Sequence, residues 1–211
     1  MSSLDAVAPM GYYDNLITKY LQGIGYSVTT LRNTQVTVDL LRSGLNEYNV
    51  VIWQTDSYSW QHRNYWYVGQ VANQAGVSKY ASDFADYALD AHAGIIGMNL
   101  LFFQQHYSSL SLNNVKLAVL LANGSNSIAT AWIQAGAQSV VFCLTSISLQ
   151  FGEVDDLASQ VVAYLAMGYT LSNAVWTTVS PYLSAFPSED PLDTASSPPF
   201  WYLGDGSLTI G

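Results

Sequence analysis

Apolar positions along this chain fall into two periods, and the change from one to the other marks out its elements. Continuous β-branched or aliphatic runs predict strands at 50–53 (VVIW), in "NVKLAVLLAN" around 115–122, in "AQSVVFCLTS" from 137, and in "FWYLGDG" near the end. Shorter runs over 4–10 (LDAVAPM) and 26–33 (YSVTTLRN) predict two further strands, and "AGIIGM" a short strand or turn. Between them the apolar residues recur at helical spacing. In "YYDNLITKYLQGIGY", Leu16, Tyr20 and Leu21 share a face, and Gly23 and Gly25 end the helix. In "QVTVDLLRSGLNEY", Val36, Leu40, Leu41 and Leu45 do the same. Helices are also expected in "NLLFFQQHY", in "SNSIATAWIQAG" up to Gly136, in "DDLASQVVAYLAMG" with Asp155 and Asp156 in its opening turn, and in "TLSNAVWTTVSPYL". Strand, helix, strand, helix, strand is a βαβ pattern, and it implies an α/β domain around a mostly parallel sheet.

Two stretches interrupt the pattern. Residues 57–93 form a long aromatic and polar excursion, expected to run over the strand ends with one or two helical turns in "SKYASDFADYALDA". Residues 186–199 read as a Pro/Ser/acidic loop. Neither is a linker and no repeat occurs, so residues 1–211 are read as one domain.

Composition narrows the partners. Only 10% of residues are charged, against about a quarter in an ordinary globular domain, and 15 Tyr and 6 Trp help fill the gap. Such a surface suits an extracellular or cell-surface protein, or a subunit buried in an assembly. The six basic residues (Lys19, Arg32, Arg42, Arg63, Lys79, Lys116) all lie in the first 116 positions. With a net charge of −9 and no basic stripe, nucleic acid is not an expected partner. No run is long and apolar enough for a membrane span, and the start "MSSLDAVAPM" does not read as a signal peptide. The acids at 153–156 and 189–193 lack calcium-loop spacing, and no His/Cys set has zinc spacing, so neither a metal nor a cofactor is expected.

The order of pieces resembles the caspase-like fold of gingipain- and clostripain-type cysteine peptidases. Four places carry the resemblance: "LITKYLQGIGYSVTTLRNTQVTVDLLRSGLNEYNVVIWQTDS", "VKLAVLLANGS", "AWIQAGAQSVVFCLTSIS" and "PPFWYLGDGSLTIG". The last has Gly206 where the family usually has Pro. The resemblance implies a three-layer α/β/α sandwich with a His after one strand and a nucleophilic Cys after its neighbour, both at the sheet's carboxyl edge. Here those positions fall on Asp56 and about Asn123. Asp is not the usual thiol partner and Asn offers no comparable nucleophile, so the resemblance implies the fold without the dyad.

Substitutes for the lost pair are few. Cys143 sits in an apolar run, where a free Cys is normally an inert hydrophobe. His62 lies six residues past Asp56 among aromatics, His106 near a helix end where it suits a terminal carbonyl, and His92 in a polar loop. Asn123-Gly124-Ser125 is a glycosylation sequon that reads equally as a strand-to-helix turn. Trp53, Trp60, Tyr65, Trp66 and Tyr67 are the candidate contact residues, as aromatics gather in interface cores. The leading expectation is therefore an inactive caspase-fold subunit that assembles with itself outside the cell, as a filament or surface layer. The alternatives are a peptide- or glycan-binding module at the vacant cleft, or a cysteine endopeptidase with a displaced dyad of Cys143 with His62 or His106.

Overall fold

The computed structural model describes residues 11–144, 151–185 and 200–211. The strand expected over 4–10 and the loop of 186–199 lie outside them. Helix α1 (Gly11–Gly23) opens the described chain. Then come β1 (Val50–Gln54), β2 (Ser57–Trp60), β3 (Arg63–Val71), the short helices α2 (Gln74–Lys79) and α3 (Ala81–Ala85), β4 (Leu89–His92) and β5 (Ile95–Met98). Helix α4 (Leu100–His106), β6 (Leu117–Leu121), α5 (Asn126–Gln134), β7 (Ser139–Cys143), α6 (Phe151–Ala166), α7 (Leu171–Ala185) and β8 (Phe200–Gly204) complete it.

The first sheet runs β1-β6-β7-β8. Its first three strands are parallel, and β8 lies antiparallel on β7. Strands β6 and β7 are buried along their whole length, which explains their unbroken apolar runs. Alternate side chains feed two cores. Leu117, Val119, Leu121, Val141 and Cys143 join residues of α1, α6 and α7. Ala118, Leu120, Val140 and Phe142 point the other way, among residues of α4 and α5.

The excursion is more ordered than its composition suggests. It forms a second, antiparallel sheet in the order β2-β3-β5-β4. Trp66, Val68, Leu89, Ile96 and Met98 turn one face of this sheet into the same core as Ala118, Leu120 and Phe142. The opposite face stacks Tyr58 against Tyr65 at 5.3 Å and His92 at 4.4 Å. Three of the four strands have only four residues, and the aromatics that mark the excursion in the sequence lie mostly on the face away from this core.

Three other expectations are corrected. Residues 26–31 form no strand ladder among the described residues: β propensity needs a packed pleated neighbour, and a cavity separates this run from β1. The helix expected from "QVTVDLLRSGLNEY" is a broken one, with a wide π turn at Leu40–Gly44 between 3-10 turns at Asn33–Gln35 and Leu45–Glu47. There the Ser43 hydroxyl donates to the Asp39 carbonyl, and Gly44 follows directly. Helix α6 starts at Phe151, so Asp155 and Asp156 lie a full turn inside it rather than at its opening.

Candidate site at the carboxyl edge of the first sheet

Strands β1 and β6 pair as far as Gln54 and Leu121, and the Thr55 amide donates to the Leu121 carbonyl just beyond. Asp56 and Asn123 therefore leave neighbouring parallel strands at the same edge, where open α/β sheets bind ligands. Both are tied into local hydrogen bonds. The Asp56 carboxylate accepts from the Ser57 amide at 2.7 Å, and its carbonyl accepts from the Tyr67 amide. The Asn123 carbonyl accepts the Trp66 indole N–H at 3.2 Å.

Gly124 turns the chain at φ +69°, as the Asn-Gly reading requires. Ser125 then drops its hydroxyl into the protein, where Oγ accepts from the Cys143 amide at 2.9 Å and reaches the Leu120 carbonyl at 3.0 Å. The sequon's hydroxyl is thus used to tie the end of β6 to the end of β7.

No cysteine–histidine pair is assembled among the described residues. Cys143 is buried at the end of β7 among the aliphatics of α6 and α7, and burial pushes its thiol up to about 12. His106 does not cap a carbonyl. Its Nε2 pairs with the buried Asp83 carboxylate at 2.6 Å, and Arg42 Nε donates to Nδ1 at 3.2 Å. His92 is stacked on Tyr58. His62 stands at the tip of the β2–β3 hairpin, with its backbone at φ +61° and Gln61 at φ +49°.

Neither a model of a known protein family nor any curated protein matches this chain. The site has to be read from its own geometry.

That geometry centres on a cavity of about 320 Å³ at this edge. It is lined by His62, Arg63, Asn64 and Trp66 from the hairpin, Asn99, Leu100 and Leu101 from the start of α4, and Ser127 from α5. Arg63 is the informative residue. Arg32 is paired with Asp14 and Lys79 with Asp39, but no carboxylate among the described residues pairs with Arg63. Its guanidinium lies over the Tyr87 ring at 5.5 Å, with a long contact of 3.4 Å to the Tyr87 carbonyl. Tyr87 sits at φ +58°, and the same carbonyl also accepts from Tyr65 OH and Asn99 Nδ2. Asn99 is buried and caps α4 by accepting from the Leu101 amide. The Tyr87 carbonyl thus ties Arg63, Tyr65 and Asn99 together beside the cavity.

Of the five aromatics singled out in the sequence, Trp53, Tyr65 and Trp66 are buried packing residues and Tyr67 is partly covered. Trp60 alone among them is broadly exposed. The cleft residues Arg63, Asn64, Asn99 and Ser127 were not singled out by the sequence. The one available signal was the basic residue in the aromatic run "QHRNYWY". Among the described residues no three His, Cys, Asp or Glu gather as a metal group, and no helix is long and apolar enough to cross a membrane.

A second buried acid lies on the opposite side of the first sheet. Asp155 of α6 accepts a short hydrogen bond from Gln54 Nε2, while its Oδ2 is buried without a partner. Burial, with a smaller contribution from the Asp14 carboxylate, raises its pKa to about 7. Both acids line a cavity of about 100 Å³ walled by Ile17, Leu21, Val28, Val50 and Ile52.

Proposed function

We propose that this chain is a non-catalytic, caspase-like α/β/α protein whose carboxyl-edge cleft holds a peptide through an acidic side chain or a terminal carboxylate. The observation that carries the reading is Arg63, an exposed cation with no carboxylate partner among the described residues, which lines this cavity in a chain of net charge −9. A planar fork of N–H donors matches a carboxylate better than any other common group. Asn64 and Ser127 offer hydrogen-bonding groups for a peptide backbone, and Leu100 and Leu101 an apolar wall. The two cores on opposite faces of a mostly parallel sheet support the layered architecture. The low charge and Tyr-rich composition favour an extracellular or cell-surface setting.

The reading is tested with N-acetylated tetrapeptides carrying Asp or Glu, compared with their Asn and Gln counterparts, using Trp fluorescence or calorimetry. A charge-assisted pair of about 1.5–3 kcal/mol predicts at least a tenfold preference for the acid, lost in Arg63→Ala. Equal affinity for acid and amide, or no binding by any peptide, overturns it.

A further inference from the structure

The cavity beside Asp155 plays no part in the cleft reading, and its chemistry is the reverse of the cleft's. Ile17 and Leu21 of α1 and Val50 and Ile52 of β1 give it aliphatic walls. Asp155 lines the same cavity although it is only 2% exposed. Its neighbours on α6, Val154, Leu157 and Ala158, pack into the core and hold the carboxyl inward. One carboxyl oxygen accepts from Gln54, itself buried, and the other is buried with no hydrogen-bond partner. A buried acceptor left unpaired is costly, and folded chains keep few of them.

The charges around it are one-sided. Asp14 also lines the cavity and pairs with Arg32 at 2.9 Å. No Lys, Arg or His among the described residues lines the cavity, so Asp155 has no countercharge there. Burial, and after it the Asp14 carboxylate, raises its pKa to about 7. The group is therefore balanced between its two forms near neutral pH, and a cation beside it would tip it to the carboxylate.

We propose that this cavity binds a small primary amine, its ammonium on the unpartnered oxygen of Asp155 and its hydrocarbon chain along Ile17, Leu21, Val50 and Ile52. The aliphatic walls call for a cation with an apolar body. A metal ion would need more ligands, and no three His, Cys, Asp or Glu gather for one among the described residues. Thr18 and Tyr26 bring hydroxyls to the lining as acceptors for the remaining N–H groups, and burial raises the Tyr26 pKa, which keeps that hydroxyl neutral. A volume of about 100 Å³ sets the size. A cavity of roughly 150 Å³ takes benzene, so this one suits a short alkyl chain. The inference is independent of the Arg63 cleft, which selects the opposite charge.

Butylamine and butanol match in size and differ in charge, so titrating the full chain with each, followed by amide NMR in matched salt, is the test. At pH 8 saturable shifts are expected at the Val28, Val50 and Ile52 amides, with the amine at least about tenfold tighter than the alcohol. Binding an ammonium requires the carboxylate form of Asp155. The amine's affinity should therefore fall by about tenfold or more from pH 8 to pH 5, while the alcohol's stays level. Asp155→Asn, of the same shape without the charge, should bring the amine down to the affinity of the alcohol. Val28→Phe, which fills the cavity and leaves the acid in place, should abolish binding of both. Unchanged far-UV circular dichroism checks that each variant folds. Equal affinity for amine and alcohol, amine binding that survives either substitution undiminished, or no saturable shift with either compound overturns the inference.

Discussion

Asp155 shows how one side chain couples the interior to pH. Its carboxyl is buried on α6, one oxygen is held by Gln54 and the other has no partner. A folded-state pKa raised to about 7, against 3.8 for a free side chain, means that the folded chain holds a proton the unfolded chain has already lost. Below the unfolded value both states are protonated and this group costs nothing. As pH rises from about 4 to about 7 its contribution turns against folding, and above that it stays at its full cost. The gap between the two values sets that cost on the order of a few kcal/mol. Asp155→Asn keeps an acceptor for Gln54 and removes the ionisation. Thermal denaturation should therefore show the variant gaining stability over wild type at pH 8 and little or nothing at pH 4. An equal effect at both values would mean that the group does not titrate in this window.

At the scale of elements, the β2–β3 hairpin is the most informative. Gln61 and His62 both adopt positive φ, the geometry of a two-residue turn that ordinarily selects Asn-Gly. Left-handed backbone costs an ordinary residue about 1–2 kcal/mol, so the sequence tolerates strain beside the cleft wall. Replacing Gln61-His62 with Asn-Gly should raise the unfolding free energy by about 1 kcal/mol or more. If the strained turn serves the cleft, the same change weakens binding of acidic peptides while Arg63 stays in place. A stabilised variant with undiminished affinity would assign the strain no role in binding.

The same hairpin shows where sequence reasoning stops. Strands β6 and β7 were legible because burial on both faces leaves continuous apolar runs, and β1 because its own run, half-buried on one face, is β-branched throughout Val50–Ile52. The second sheet was not, since "SYSWQHRNYWYVGQ" mixes polar residues with aromatics that only packing sorts into inside and outside. The resemblance laid Asp56 and Asn123 at the ends of neighbouring strands, and β1 and β6 do lie side by side in parallel. The Arg63 cleft was not legible, because its lining converges from β3, α4 and α5, which are distant in the chain. Asp155 was read as a helix-opening acid because Asp-Asp before an apolar run has that signature. Phe151 starts the helix a turn earlier and so turns Asp155 inward.

Over the whole molecule, the two sheets are joined by a single core rather than set side by side. Trp53 of β1, Trp66 of β3, Met98 of β5, Leu120 of β6 and Trp132 of α5 belong to one buried cluster. Trp66 is the central link: its ring is buried in that cluster, it pairs in register with Met98, and its indole N–H reaches the Asn123 carbonyl at the end of the first sheet. Removing it cannot loosen the second sheet alone. Trp66→Ala should cost about 3–5 kcal/mol, a large part of the 5–15 kcal/mol that folds a typical domain. Far-UV circular dichroism, which follows both sheets and all the helices, and near-UV circular dichroism, which follows the packed aromatics, should lose signal together at a lower denaturant midpoint. Separate transitions, with the near-UV signal lost first, would show the second sheet to be an independent layer, and a cleft built from its hairpin and from α4 and α5 would then open without global unfolding.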